Sequence, residues 1–209
     1  MRQMKISVVF LFLAIQSVVF AAQANANDSN GMNPNQSAFS KNQKFDRDGV
    51  ELYQTNLDMK QYKKLGVGLM AGGATGVLSL NGEINLEPSE AAIIGIGIGP
   101  GYGAFNLGWK HNFEAYYLSP YTKVGYSKWY SSSKGDATDS AVLKRIYNEN
   151  ELRGGRFDVD FVAGSMGIEY NQLEGDLSGV NLFGEIVVMA DFRKFTMIPT
   201  GAIGINYYY

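Results

Sequence analysis
The chain contains no cysteine. That excludes a disulfide framework, a thiolate metal site and a cysteine nucleophile. It contains one histidine, His111, so a multi-histidine metal centre is excluded as well. No metal site and no cofactor is expected. Charged residues are scarce at 18% and nearly balanced, with a net charge of −2. A nucleic-acid partner would call for a basic footprint, and none is expected. Beyond the first 26 residues no apolar run reaches the ~20 residues of a helical membrane span. What the chain does have is glycine and aromatics. There are 25 glycines in 209 residues, and 13% of residues are aromatic. Glycine usage is about 12%, against ~7% in ordinary chains.

The first segment reads as an address. Arg2 and Lys5 precede an apolar run from Ile6 to Ala22, and then come Ala22-Gln23-Ala24 and Ala24-Asn25-Ala26. This is the layout of a cleaved secretory signal peptide over residues 1–26. Its removal takes the net charge from −2 to −4. Residues 27–64 form a polar N-terminal tail, expected to be largely disordered because it has little apolar surface to bury. Within it, residues 50–64 suit either a short helix or a strand lead-in. Lys60, Lys63 and Lys64 read as a solvated end, or else as contacts to anionic headgroups or cell-wall polymer.

From Leu65 the period is two, which marks strands because successive side chains point to opposite faces. Leu65, Val67 and Leu69 alternate with Gly66, Gly68 and Met70, and Ile94, Ile96 and Ile98 with Gly95, Gly97 and Gly99. Six further segments repeat the pattern, giving eight strands in 65–209. Most breaks are short turns, which imply antiparallel neighbours. One connection is long, from Ser131 to Arg156, the loop 131–156. Phe157, Val159 and Phe161 are out of phase with Val162, Met166 and Ile168, so a bulge is expected near Val162–Gly164. Eight antiparallel up-and-down strands can close into a barrel and remove both edges.

Which face lies outside decides the biology. With the polar face outside, the chain is a soluble secreted barrel that binds an apolar small molecule. With the apolar face outside, it spans a bilayer and fills its narrow lumen with small and polar groups. The second reading is favoured because the polar face is mostly Gly, Ala, Ser and Asn, whereas a soluble exterior is rich in Lys, Glu and Asp. Aromatics also gather near strand ends as an interfacial girdle: Trp109, Phe113, Tyr116 and Tyr117 at one end, Tyr126, Trp129 and Tyr130 at the other. The chain ends on Gly204-Ile205-Asn206-Tyr207-Tyr208-Tyr209. This terminus resembles the C-terminal insertion signal of bacterial outer-membrane barrels, with Gly204, Tyr207 and Tyr209 carrying the pattern and Tyr in place of the usual Phe.

With the signal peptide and eight strands, the chain resembles the small outer-membrane barrels of the OmpA and OmpX type. The resemblance implies an all-β, eight-stranded antiparallel up-and-down transmembrane β-barrel in the bacterial outer membrane. It implies a monomer surrounded by outer-membrane lipid and lipopolysaccharide, inserted by the barrel-assembly machinery. Both termini and the short turns then lie in the periplasm, and loop 131–156 points outward.

Candidate sites follow from this frame. Glu83, Lys110, Lys123, Glu169 and Glu185 share the inward phase. Charges in a narrow lumen need partners, so a network that plugs the barrel is expected. Within the outer loop, Asp136, Thr138 or Asp139 can cap a short helix that Gly154 ends. Val142, Leu143, Ile146 and Tyr147 would form an apolar patch, either a contact surface or a lid on the barrel mouth. Some barrels of this size are lipid-modifying enzymes that need a His, a Ser and a carboxylate. His111 sits near an expected periplasmic turn, with Glu114 as the nearby acid. No catalytic residue is therefore assigned, and a structural or surface-interaction role is expected.

Overall fold
The computed structural model describes residues 49–132, 137–153 and 157–209. The signal peptide, residues 27–48, Asp136 and Gly154 lie outside the described residues. Eight strands follow in order: β1 Leu65–Gly72, β2 Leu78–Asn85, β3 Glu90–Gly99, β4 Tyr102–Asn112, β5 Leu118–Ser131, β6 Asp158–Asn171, β7 Val180–Asp191 and β8 Met197–Tyr208. Each pairs antiparallel with its neighbour, and β8 returns to β1, closing the barrel. Both terminal strands start or finish at one end, here the terminus end. The long connection between β5 and β6 caps the other, the loop end.

The alternation of the sequence maps onto the two surfaces. Val67, Leu80, Ile96, Leu107, Met166, Ile186 and Ile203 are exposed on the outer wall. Ser79, Glu83, Lys110, Glu169 and Asn206 are buried within. The ladder from β5 to β6 runs unbroken from Leu118 opposite Tyr170 to Tyr130 opposite Asp158. The bulge expected near Val162–Gly164 is therefore absent. Val159 and Phe161 share the phase of Ala163 and all three point inward, because the loop end of the lumen is itself an apolar core. At this end of the barrel, large apolar groups face the lumen.

That core has an unusual floor. The turn Gly73–Thr75 between β1 and β2 folds into the barrel. Gly72 and Gly73 take φ of 84° and 78°, a region that glycine enters at little cost. Gly97 on β3 gives the turn room, since a Cβ there would lie 2.0 Å from the Thr75 carbonyl oxygen. This clearance accounts for part of the Ile–Gly alternation in β3.

The segment ahead of β1 is not a tail. Helix α1, Asn56–Tyr62, is capped by Thr55, whose hydroxyl accepts from the Asp58 amide at 3.2 Å. The chain from Glu51 to Lys64 is tied to all three turns at the terminus end. The Asn56 amide donates to the Ala115 carbonyl at 3.0 Å, Tyr53 N–H to Leu173 at 2.9 Å and Asn85 N–H to Lys64 at 2.8 Å. Tyr53 and Met59 pack on Leu173 and Tyr208. Burial and the Glu51 carboxylate, which accepts its hydroxyl, push the Tyr53 phenol upward in pKa. Residues 51–64 are thus a stopper across the barrel opening. This corrects the tail boundary at 64 and both expectations for Lys60 and Lys63.

Candidate functional site: the barrel lumen
The lumen is layered. Nearest the terminus end, four charged groups meet. Lys60 enters from α1 with its Nζ 2.7 Å from Glu169 Oε1 and 3.5 Å from Glu83 Oε1. Lys110 on β4 lies 2.7 Å from Glu169 Oε2 and 3.1 Å from Glu83 Oε2. Asn112 accepts from Lys60 at 2.7 Å. Each carboxylate therefore bridges two ammonium groups, and the charges cancel. Lys123 and Glu185 form a second pair one layer higher at 2.5 Å. The Tyr121 ring stands between the groups, with Lys110 Nζ 4.6 Å from its centroid and its hydroxyl donating to Glu185 at 3.0 Å. The five residues singled out from sequence thus lie in the lumen as two clusters. The sequence reading missed Lys60, Asn112 and Tyr121.

Beside these charges is a cavity of about 50 Å³ that Asn81, Asn106 and Ser165 help to line. That is room for a few water molecules in a polar setting.

Above it the lumen is filled with apolar side chains. Trp129 stacks on Tyr102 at 4.6 Å and meets Phe161 edge-on at 5.5 Å. Its indole N–H donates to the Ala74 carbonyl of the inward turn at 2.7 Å. Trp129 is only 1% exposed, so its assignment to the outer girdle is corrected. It occupies an odd position on β5, in phase with Ser127 and not with Tyr126 and Tyr130.

The outer loop closes this core. Leu143 and Ile146 are buried in it, and Val142 and Tyr147 pack against it. The apolar patch is a lid, not an exposed contact surface. A 3-10 turn at Leu143–Arg145 and helix α2, Glu149–Arg153, shape it. The hydroxyl of Ser140 accepts from the Leu143 amide at 3.3 Å, and Val142, without a side-chain cap, precedes the 3-10 turn.

The other girdle residues sit at strand ends. Trp109, Tyr116, Tyr117 and Tyr130 are exposed, and Phe113 and Tyr126 are half-buried. At the C-terminus Tyr207 and Tyr209 are exposed. A Cβ on Gly204 would lie 2.4 Å from the Phe183 ring and 2.6 Å from the Leu69 carbonyl oxygen. His111 lies on the outer wall near the terminus end, with Nδ1 2.5 Å from Glu90 Oε1. Glu90, not Glu114, is its carboxylate, and Glu90 also accepts the Trp109 indole N–H.

The outer wall is decisive for orientation. Going round all eight strands, the outward rows carry no charged residue between Glu90 and His111 at one end and Lys128, Asp158 and Asp160 at the other. On β5, Leu118 and Lys128 are ten residues apart. At ~3.3 Å per residue and a tilt of ~40° that spans ~25 Å, the height of the apolar band of a transmembrane barrel. The architecture is a closed eight-stranded antiparallel barrel with an uncharged outer band.

No protein-family model and no curated protein matches the sequence. Among solved structures, the N-terminal β-barrel domain of Pseudomonas aeruginosa OprF is similar at 12% identity with a TM-score of 0.48, covering 69% of this chain and 96% of that one. The Yersinia pestis outer membrane protein Ail in a phospholipid nanodisc is similar at 10% identity and a TM-score of 0.39, covering 69% and 98%. The crystal structure of Ail gives 11% identity and a TM-score of 0.34, covering 69% and 95%.

Proposed function
We propose that this chain is a bacterial outer-membrane wall protein, exported on residues 1–26 and inserted as a monomeric barrel by the barrel-assembly machinery. Its lumen is closed, and it works as a structural and surface element rather than as a pore or an enzyme. The observation that carries this reading is the uncharged outer band. Soluble monomers rarely expose a contiguous apolar surface of this extent. Lipid and lipopolysaccharide are its partners along that band, and Lys128, Asp158 and Arg193 meet the headgroups at the outer rim. Closure has support at three levels: the stopper, the charged clusters and the apolar core with its lid. An eight-stranded barrel leaves a lumen just wide enough for side chains.

Two features speak against the other readings. A soluble carrier needs an apolar cavity, and here Trp129, Phe161 and Met189 fill the apolar part of the lumen. An enzyme acting on outer-leaflet lipid needs its histidine near that leaflet, and His111 lies at the opposite end.

The protein is expected to stay in membranes washed with alkali, to leave them only in detergent, and to migrate differently on gels with and without heating. Release by alkali sinks the membrane reading. In planar bilayers the refolded protein should show no stable single-channel conductance, and a large steady conductance would overturn the closed lumen.

A further inference from the structure
The acceptors around the Lys60 ammonium all come from the barrel wall. Glu83 stands on β2, Asn112 on β4 and Glu169 on β6, with oxygens at 3.5, 2.7 and 2.7 Å. The ring of Tyr208 on β8 lies 5.2 Å from the same nitrogen. A primary ammonium has three N–H donors, and here three oxygens and an aromatic face surround one. The helix that delivers the group supplies none of these partners. Of the six lumen charges described above, Lys60 alone belongs to the stopper. Without it, three carboxylates would face two ammonium groups.

We infer that the barrel wall contains a recognition site for a primary ammonium ion, built by Glu83, Asn112, Glu169 and Tyr208, which Lys60 occupies in cis. The stopper is in this sense a tethered ligand of the barrel. The site opens toward the terminus end. When α1 moves aside, the end of a small alkylamine entering from that side meets the same oxygens. Oxygen acceptors at these positions select for N–H donors, so a quaternary ammonium of similar charge is excluded.

The inference concerns the lumen and does not depend on where the barrel resides, so its test and the membrane test fail separately. Lys60→Ala in the full chain removes three carbons and the ammonium, the outline of n-propylammonium. The stopper keeps its ties through Asn56, Lys63 and Met59. The denaturant midpoint of this variant is expected to fall. Adding n-propylammonium should restore most of the loss with a saturable dependence, and should leave the wild-type midpoint unchanged. Tetramethylammonium should restore nothing, and n-propylammonium should restore nothing in Lys60→Ala/Glu169→Gln. Equal restoration by tetramethylammonium, or none by n-propylammonium, overturns the site. Should Lys60→Ala not refold alone, refolding is repeated with each amine. Recovery of the heat-modifiable band with n-propylammonium only supports the site, and recovery with neither overturns it.

Discussion

Replacing Glu169 by leucine is expected to cost ~3–5 kcal/mol of stability, the range for breaking a buried ion pair by removing one partner. Glu169 is 0% exposed and lies 2.7 Å from both Lys60 and Lys110. Its loss leaves two ammonium groups to share Glu83, so one buried positive charge goes uncompensated. The measurement is the midpoint and slope of denaturant unfolding from micelles, read through the heat-modifiable band. An exposed pair such as Lys128–Asp158 contributes far less, ~0–1 kcal/mol, and makes the control. The double variant Lys60→Met/Glu169→Leu keeps Lys110 opposite Glu83 and restores neutrality. It should lose much less than the sum of the two single changes, since partners in one network do not add. If Glu169→Leu costs under ~1 kcal/mol, these charges are screened and the buried charge network does not hold the lumen closed.

The strands were legible because a closed barrel imposes one rule on every strand. A side chain faces the wall's outside or its lumen by parity alone, so the period-two pattern yields the strand count, the antiparallel order and the inward set Glu83, Lys110, Lys123, Glu169 and Glu185. Parity also held the answer for Trp129 and for Val159 and Phe161. Their positions are odd on strands where odd is inward. Side-chain chemistry alone misplaces them, because it assigns every large apolar group to the lipid. The loop end of the lumen breaks that equation, because a lid over the mouth makes an apolar interior favourable.

The stopper was less legible for a different reason. A seven-residue helix has no stability of its own, and its sequence NLDMKQY shows only a mixed pattern. It exists because Lys60 finds its acceptors and Asn56 finds the Phe113–Ala115 turn, more than fifty residues away. The inward charges did contain a hint. The five inward charges read from the sequence are three carboxylates and two lysines, an imbalance that Lys60 offsets.

The orientation of the wall has its own test, which the fold alone does not supply. Met166 sits midway along the outer row of β6, between Asp160 and Tyr170, and is 64% exposed. In water an exposed methionine can become arginine at little cost, within ~0.5 kcal/mol for a surface change. At the middle of a bilayer the same change places a guanidinium among acyl chains and costs ~2–4 kcal/mol in a transmembrane barrel. Met166→Arg is therefore expected to lower the unfolding free energy by that amount in phospholipid vesicles. Lys128→Arg, at the rim, should leave it unchanged. The cost at Met166 should also depend on depth, shrinking when the arginine is moved along the same row to Tyr170, where the side chain reaches the headgroups. A neutral Met166→Arg in lipid would mean that β6 does not face acyl chains, and the outer-membrane reading would fall with it, although the eight-stranded barrel would stand. The closed lumen and the lipid-facing wall are thus separable claims, one resting on Glu169 and the other on Met166, each on the opposite face of the same strand.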